Sequence, residues 1–194
     1  MQYQAVVFDM DGVIFDTERL VIEFWKEVAK KHNIPNVEHT CIQCLGTNRV
    51  RTREIFLENY GADFPFDPYR AEVTELFNTH YKGVPLPTKP GVRELLSYLQ
   101  EQDIKVGLAS STAQHLVRDE IGTAGLLPYF QTLVCGDMVE HSKPAPDIFL
   151  KACEILNADP TKSIAIEDSF NGIRSAHCAG MTPIMVPDQV QPTD

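Results

Sequence analysis

Two aspartates, Asp9 and Asp11, stand two residues apart where the apolar run Val6 to Phe8 stops and just before Gly12. Further along, Ser110, Ser111 and Thr112 close a second apolar run, Lys143 follows a third, and Glu167 and Asp168 end a fourth. Carboxylates crowded into an enclosed site repel one another and take up protons unless a hard cation offsets their charge. Oxygen ligands on a rigid edge suit Mg²⁺, which keeps waters and bridges carboxylates to a substrate phosphate. Hydroxyls opening a helix, with a lysine beside them, are equipped to hold phosphoryl oxygens. The combination predicts phosphoryl transfer. Asp9, held beside the metal, can attack phosphorus and form an aspartyl phosphate, which splits one hard displacement into two. Asp11 can protonate the leaving oxygen and later take a proton from water. Each residue alone has a plainer role: Ser110 to Thr112 can simply start a helix, and Lys143 can simply precede one. Their joint order carries the reading.

The runs AVVFDMD, KVGLASS, TLVCGD, SIAIEDS and TPIMVPD recur between helical patterns. Such alternation predicts a doubly wound α/β fold with a parallel sheet and right-handed crossovers. Val6 to Phe8 and Ile164 to Ile166 lack polar alternation, as central strands covered on both faces do. In open parallel sheets ligands bind outside the carboxyl ends of the strands, where these polar residues fall. From about Asp16 to Pro87 the rhythm breaks into helical patterns. The first of them places Leu20, Val21, Phe24, Trp25 and Val28 on one stripe. Pro85, Pro87 and Pro90 then suit a stiff return linker. The predicted division is a Rossmann-like core of residues 1–16 and 86–194 with a helical insertion over 17–85, hinged near Asp16 and near Val84 to Pro87.

A chain of 194 residues, 43% hydrophobic, is large enough for such a core and its insertion. Its formal charge of -10 repels nucleic acid and anionic membranes, and no basic patch relieves it. The N-terminus enters an apolar strand without a leader-like pattern, so the expectation is a cytoplasmic monomer acting on a small molecule. Five cysteines at irregular spacing do not form a disulfide framework. Cys41 and Cys44 read as buried thiols rather than as a zinc or redox pair.

The order Asp-x-Asp-Gly, Ser110, Lys143, Glu167-Asp168 resembles the haloacid dehalogenase superfamily over nearly the whole chain. FDMDGVIFDTE, SKPAPDIFLKA and IEDSFNGIRSAHCAGM are similar to the branch of β-phosphoglucomutase and small-metabolite phosphatases. The resemblance implies a helical cap inserted after the first strand, with Asp9 as nucleophile and Mg²⁺ ligand. It implies Asp11 as acid/base that also meets the metal through its backbone carbonyl, and Asp168, with Glu167 beside it, completing the metal site. Ser110 and Ser111 would hold the phosphoryl group, and Lys143 would neutralise charge between it and Asp9. Thr17 and Arg49 are shared with the mutases, and Arg49 suits a second phosphate.

Departures narrow the choice. Dehalogenases of this superfamily lack the second aspartate, and phosphonate hydrolases carry a small residue there. The mutases have a histidine shortly after the Asp-Thr pair, where this chain has Leu20 and Val21. The expected activity is a Mg²⁺-dependent phosphatase of a small metabolite, with a phosphosugar mutase as the alternative. A signalling receiver domain is disfavoured by a nucleophile on the first strand and by the insertion. A catalytically silent binding protein is disfavoured by the complete residue set. Members of the family usually continue past an ending such as MVPD with a further strand and helix.

Overall fold

The computed structural model describes residues 3–81 and 83–192. Five parallel strands form one sheet in the order β3-β2-β1-β4-β5. They are β1 (Ala5–Phe8), β2 (Lys105–Ser110), β3 (Thr132–Cys135), β4 (Ser163–Glu167) and β5 (Thr182–Met185). All five fall on the apolar runs picked out above. Every residue of β1 is buried, because β1 lies mid-sheet with helices over both faces. Side chains alternate across the strand, so Val6 and Phe8 join a cluster with Leu96, Val117 and Ile121. Val7 faces the other way, onto Ile148, Phe149 and Ala152.

Between β1 and β2 the chain forms α1 (Thr17–His32), α2 (Val37–Cys44), α3 (Arg49–Tyr60), α4 (Phe66–Tyr81) and then α5 (Val92–Glu101). The first four pack around a cluster of their own built on Trp25, Phe56 and Phe66. In α1 the deepest face is Ile22, Trp25, Val28 and Ala29, so the predicted stripe is rotated: Leu20 and Phe24 are only half-buried. Trp25 sets this rotation by packing its ring 4.4 Å from that of Phe56. Helix α2 was not legible in the sequence. It is short and polar and puts only Val37, Thr40 and Cys41 inside.

The core continues with α6 (Gln114–Thr123), α7 (Asp147–Leu156) and α8 (Phe170–Cys178). Chain leaving and re-entering the core runs side by side. Asp16 N donates to Pro87 O at 2.9 Å and Lys89 N to Ile14 O at 2.8 Å. Lys89 also pairs with Asp16 and Asp188 across this junction.

Candidate active site

The carboxyl ends of β1, β2 and β4 meet at one point because β1 pairs with both of the others in register, Phe8 opposite Leu108 and Ile166. Asp9, Ser110, Glu167 and Asp168 therefore leave the sheet side by side, all buried. Lys143 arrives from the loop after β3 and is 1% exposed. Its ammonium donates to Asp9 Oδ1 at 2.5 Å, to Glu167 Oε1 at 2.5 Å and to Ala109 O at 3.0 Å, using all three of its hydrogens.

Glu167 and Asp168 are adjacent but differently engaged. Glu167 Oε2 accepts from the backbone N–H of Asp168 and from the N–H and hydroxyl of Ser169, so with Lys143 on Oε1 its carboxylate is saturated. Ser169 in turn caps α8 by accepting from Gly172 N at 3.0 Å. A Cβ on Gly172 would lie 1.8 Å from the Glu167 carboxyl carbon, so only glycine fits there. Asp168 Oδ2, by contrast, is buried without any hydrogen-bond partner. Gly12, at φ +79°, lets the chain turn directly over that oxygen, 2.1 Å from where a Cβ would stand.

Carboxylate oxygens of Asp9, Glu167 and Asp168 lie within 4.8 Å of one another, facing one lysine. Burial, reinforced by the neighbouring carboxylates and only partly opposed by Lys143, pushes Asp168 up to about 10. Asp9 rises to about 8 through burial, with Glu167 and Asp11 adding and Lys143 opposing. Burial works against the charge on Lys143, but Asp9 and Glu167 outweigh it and raise its pKa. An excess of buried negative charge and one buried carboxylate oxygen without a donor fit a hard divalent cation. Asp9 and Asp168 are the side chains free to hold it. Glu167, also expected as a ligand, has its oxygens committed to Lys143 and the α8 cap.

Asp11 and Asp9 both line a cavity of about 1200 Å³ between the core and the four inserted helices. Thr17 donates to Asp11 Oδ1 at 2.6 Å and Thr112 to Asp11 Oδ2 at 3.0 Å. Thr17, expected to touch substrate, is buried and orients Asp11, and Thr112 shares that task. Ser110 is fully buried, its hydroxyl accepting from Thr112 N at 3.1 Å. Ser111 donates to Gly46 O at 3.0 Å, and Asn171 donates to Leu45 O at 3.0 Å, so two core side chains grip the loop after α2.

Arg49 borders the cavity, but its side chain is 76% exposed and donates to Asp67, which also accepts from Arg53. Arg70, which no motif marks, lines the same cavity half-buried. It donates to Thr74 Oγ1 at 2.8 Å and has no carboxylate partner among the described residues. Burial, with Arg49 adding, lowers its pKa. Glu18 also lines the cavity, half-buried. Burial, then Asp11 and Asp9, hold its carboxyl well above the ordinary range. Cys41 and Cys44 are likewise pushed up by burial and remain thiols.

The family model for haloacid dehalogenase-like hydrolases matches residues 6–186. The chain is 34% identical over 181 residues to the phosphorylated carbohydrates phosphatase of Thermotoga maritima, covering 93% of this chain and 83% of that protein. It is also 34% identical, over 193 residues, to the beta-phosphoglucomutase of Bacillus subtilis, covering 94% and 83%. The crystal structure of beta-phosphoglucomutase from Clostridium difficile superposes with a TM-score of 0.81 at 25% identity, covering 96% of this chain and 86% of that one.

Proposed function

The chain belongs to the haloacid dehalogenase-like hydrolases, and from that premise we propose that it is a Mg²⁺-dependent phosphatase of a small sugar phosphate, working through an aspartyl phosphate on Asp9. The observation that carries this reading is the set Asp9–Lys143–Glu167, with Asp168 Oδ2 unpartnered beside it, which reaches through Asp9 the cavity that Asp11 also lines. The relative named as a phosphatase of phosphorylated carbohydrates supports the substrate class.

Asp9 and Asp168, with the Asp11 backbone carbonyl that the family resemblance adds, would hold the ion. It would supply positive charge against the carboxylates and the phosphoryl oxygens. The protein's own groups then act in two steps. An Asp9 oxygen bonds to phosphorus while the bond to the leaving oxygen breaks, and Asp11 gives that oxygen a proton. Water then bonds to phosphorus, Asp11 accepts its proton, and the Asp9–phosphorus bond breaks to release phosphate. Lys143 stabilises the phosphoryl charge and keeps Asp9 oriented. Thr17 and Thr112 hold Asp11 where both proton transfers begin. The four-helix insertion, residues 17–85, serves as the cap that closes over the leaving group.

The test is phosphate release with Mg²⁺ across sugar phosphates, beside EDTA and an Asp9→Asn variant. EDTA should abolish release, and the variant should lose more than about a thousandfold in kcat, roughly 4 kcal/mol of barrier. Release that persists in Asp9→Asn would remove the aspartyl phosphate.

One observation favours a second reading. Arg70 is a cavity cation without a carboxylate partner among the described residues, suited to a second phosphate, which a phosphosugar mutase must hold. Against it, Leu20 and Val21, the latter lining the cavity, stand where the family resemblance would lead one to expect the histidine of the mutases. Conversion of β-glucose 1-phosphate to glucose 6-phosphate with little free phosphate would establish the mutase instead.

A further inference from the structure

Outside the catalytic floor one carboxyl of the cavity wall has a buried oxygen that meets no hydrogen-bond donor among the described residues. Glu120 sits on α6, the helix that follows the Ser110 to Thr112 turn, and lines the cavity beside Asp119 and Thr123. Its Oε2 is buried and meets no hydrogen-bond donor. Among the described residues two other oxygens share that condition. Asp168 Oδ2 belongs to the metal side of the site, and Asp188 is tied to Lys89 through its other oxygen. Glu120 has neither excuse, since no lysine, arginine or histidine pairs with it among the described residues. A buried polar atom left unmatched is a cost that packing does not repay, and such costs collect where a ligand supplies the missing partner.

The direction of Glu120 identifies that partner. Glu120 lines the same cavity as Asp11, on the helix that follows Thr112, whose hydroxyl donates to Asp11 Oδ2, so it faces the space shared with the group that gives the leaving oxygen its proton. Burial, with Asp11 and Asp119 adding, pushes Glu120 up to about 8, so at neutral pH it both donates and accepts. A group that does both matches a hydroxyl, which also does both, better than it matches an anion or an apolar surface. Resting on the phosphatase reading above, we propose that Glu120 is a specificity residue that hydrogen-bonds a hydroxyl of the leaving group. It thereby selects polyol and sugar phosphates over phosphate esters without hydroxyls.

The experiment compares wild type, Glu120→Ala and Glu120→Gln in Mg²⁺ on fructose 1-phosphate, β-glucose 1-phosphate, ribose 5-phosphate and sorbitol 6-phosphate, with p-nitrophenyl phosphate as the hydroxyl-free ester. Glu120→Ala should lower kcat/KM for the best sugar or polyol phosphate at least tenfold more than for p-nitrophenyl phosphate. Glu120→Gln, which keeps a donor and an acceptor, should recover at least a third of the loss. Equal losses on both classes, or no loss on either, would overturn the assignment. So would a lower melting temperature for unliganded Glu120→Gln, since the carboxyl would then serve the fold. If wild type hydrolyses none of these compounds, the phosphatase reading fails, and the same sugar phosphates are tested as ligands. They should raise the melting temperature of Asp9→Asn and not that of Asp9→Asn with Glu120→Ala, and equal shifts would overturn the proposal.

Discussion

At the residue scale the site is an arrangement of unequal carboxylates. Glu167 is neutralised by Lys143 and by the α8 cap, so its role is to hold, while Asp9 shares that one lysine and Asp168 keeps an oxygen without a donor. This difference has a measurable sign. Both groups ionise near 3.8 in the unfolded chain but near 8 and near 10 in the fold, so between those values the folded state binds more protons. The contribution of these two groups to stability without metal should then be full below about 4 and be lost as pH rises through about 8 and about 10. Mg²⁺ removes the penalty, so the rise in melting temperature from EDTA to Mg²⁺ should be larger near pH 8 than near pH 5. An equal rise at both pH values would mean that these two aspartates are not what the ion relieves. The residues concerned were readable in the sequence because each ends a strand, and strand ends share an edge in a parallel sheet. Arg70 and Glu120 were not readable in the same way. A polar residue on a helix reaches the cavity only through the helix's rotation, which apolar spacing left ambiguous. Arg49 illustrates the converse, since a motif drew attention to it and Asp67 holds it at the exposed rim.

At the element scale the five strands were legible for a physical reason: buried parallel strands cannot alternate polar and apolar residues, so their runs stand out. Helix α2 was hidden because eight residues with three inward side chains leave no period to detect. Yet the loop after α2 is where the cap meets the core, through Ser111 to Gly46 and Asn171 to Leu45. These bonds cross from one unit to the other, whereas most of the packing lies within each. Asn171→Ala should therefore loosen closure without disturbing the fold. The loss of one such bond, about 0.5–1.5 kcal/mol, corresponds to a drop of about two- to tenfold in kcat/KM for sugar phosphates. The melting temperature should barely change. An unaltered kcat/KM would show that the loop is not part of closure.

At the scale of the whole molecule, two clusters fill the faces of the sheet and a third fills the cap, with no buried side chain in common. The insertion was visible in the sequence as a broken rhythm, but its separate core was not, because it depends on aromatic rings from three different helices and a loop. Phe56 is the centre of that core. It is fully buried, with ring centroids of Trp25, Phe66, Tyr60 and Phe64 between 4.4 and 5.9 Å away. Phe56→Ala should cost about 3–5 kcal/mol, and the loss falls on the cap because the sheet clusters do not touch the cavity it leaves. Trp25 is the only tryptophan in the chain, so intrinsic fluorescence reports the cap while the far-ultraviolet circular dichroism reports all helices. In wild type the two melting curves should coincide if the paired hinge segments couple the units. In Phe56→Ala the fluorescence transition should come first, with the remaining helix signal melting later from an intact core. Curves that shift down together would show that cap and core unfold as one cooperative body. Closure over a substrate would then be a hinge motion between permanently coupled parts.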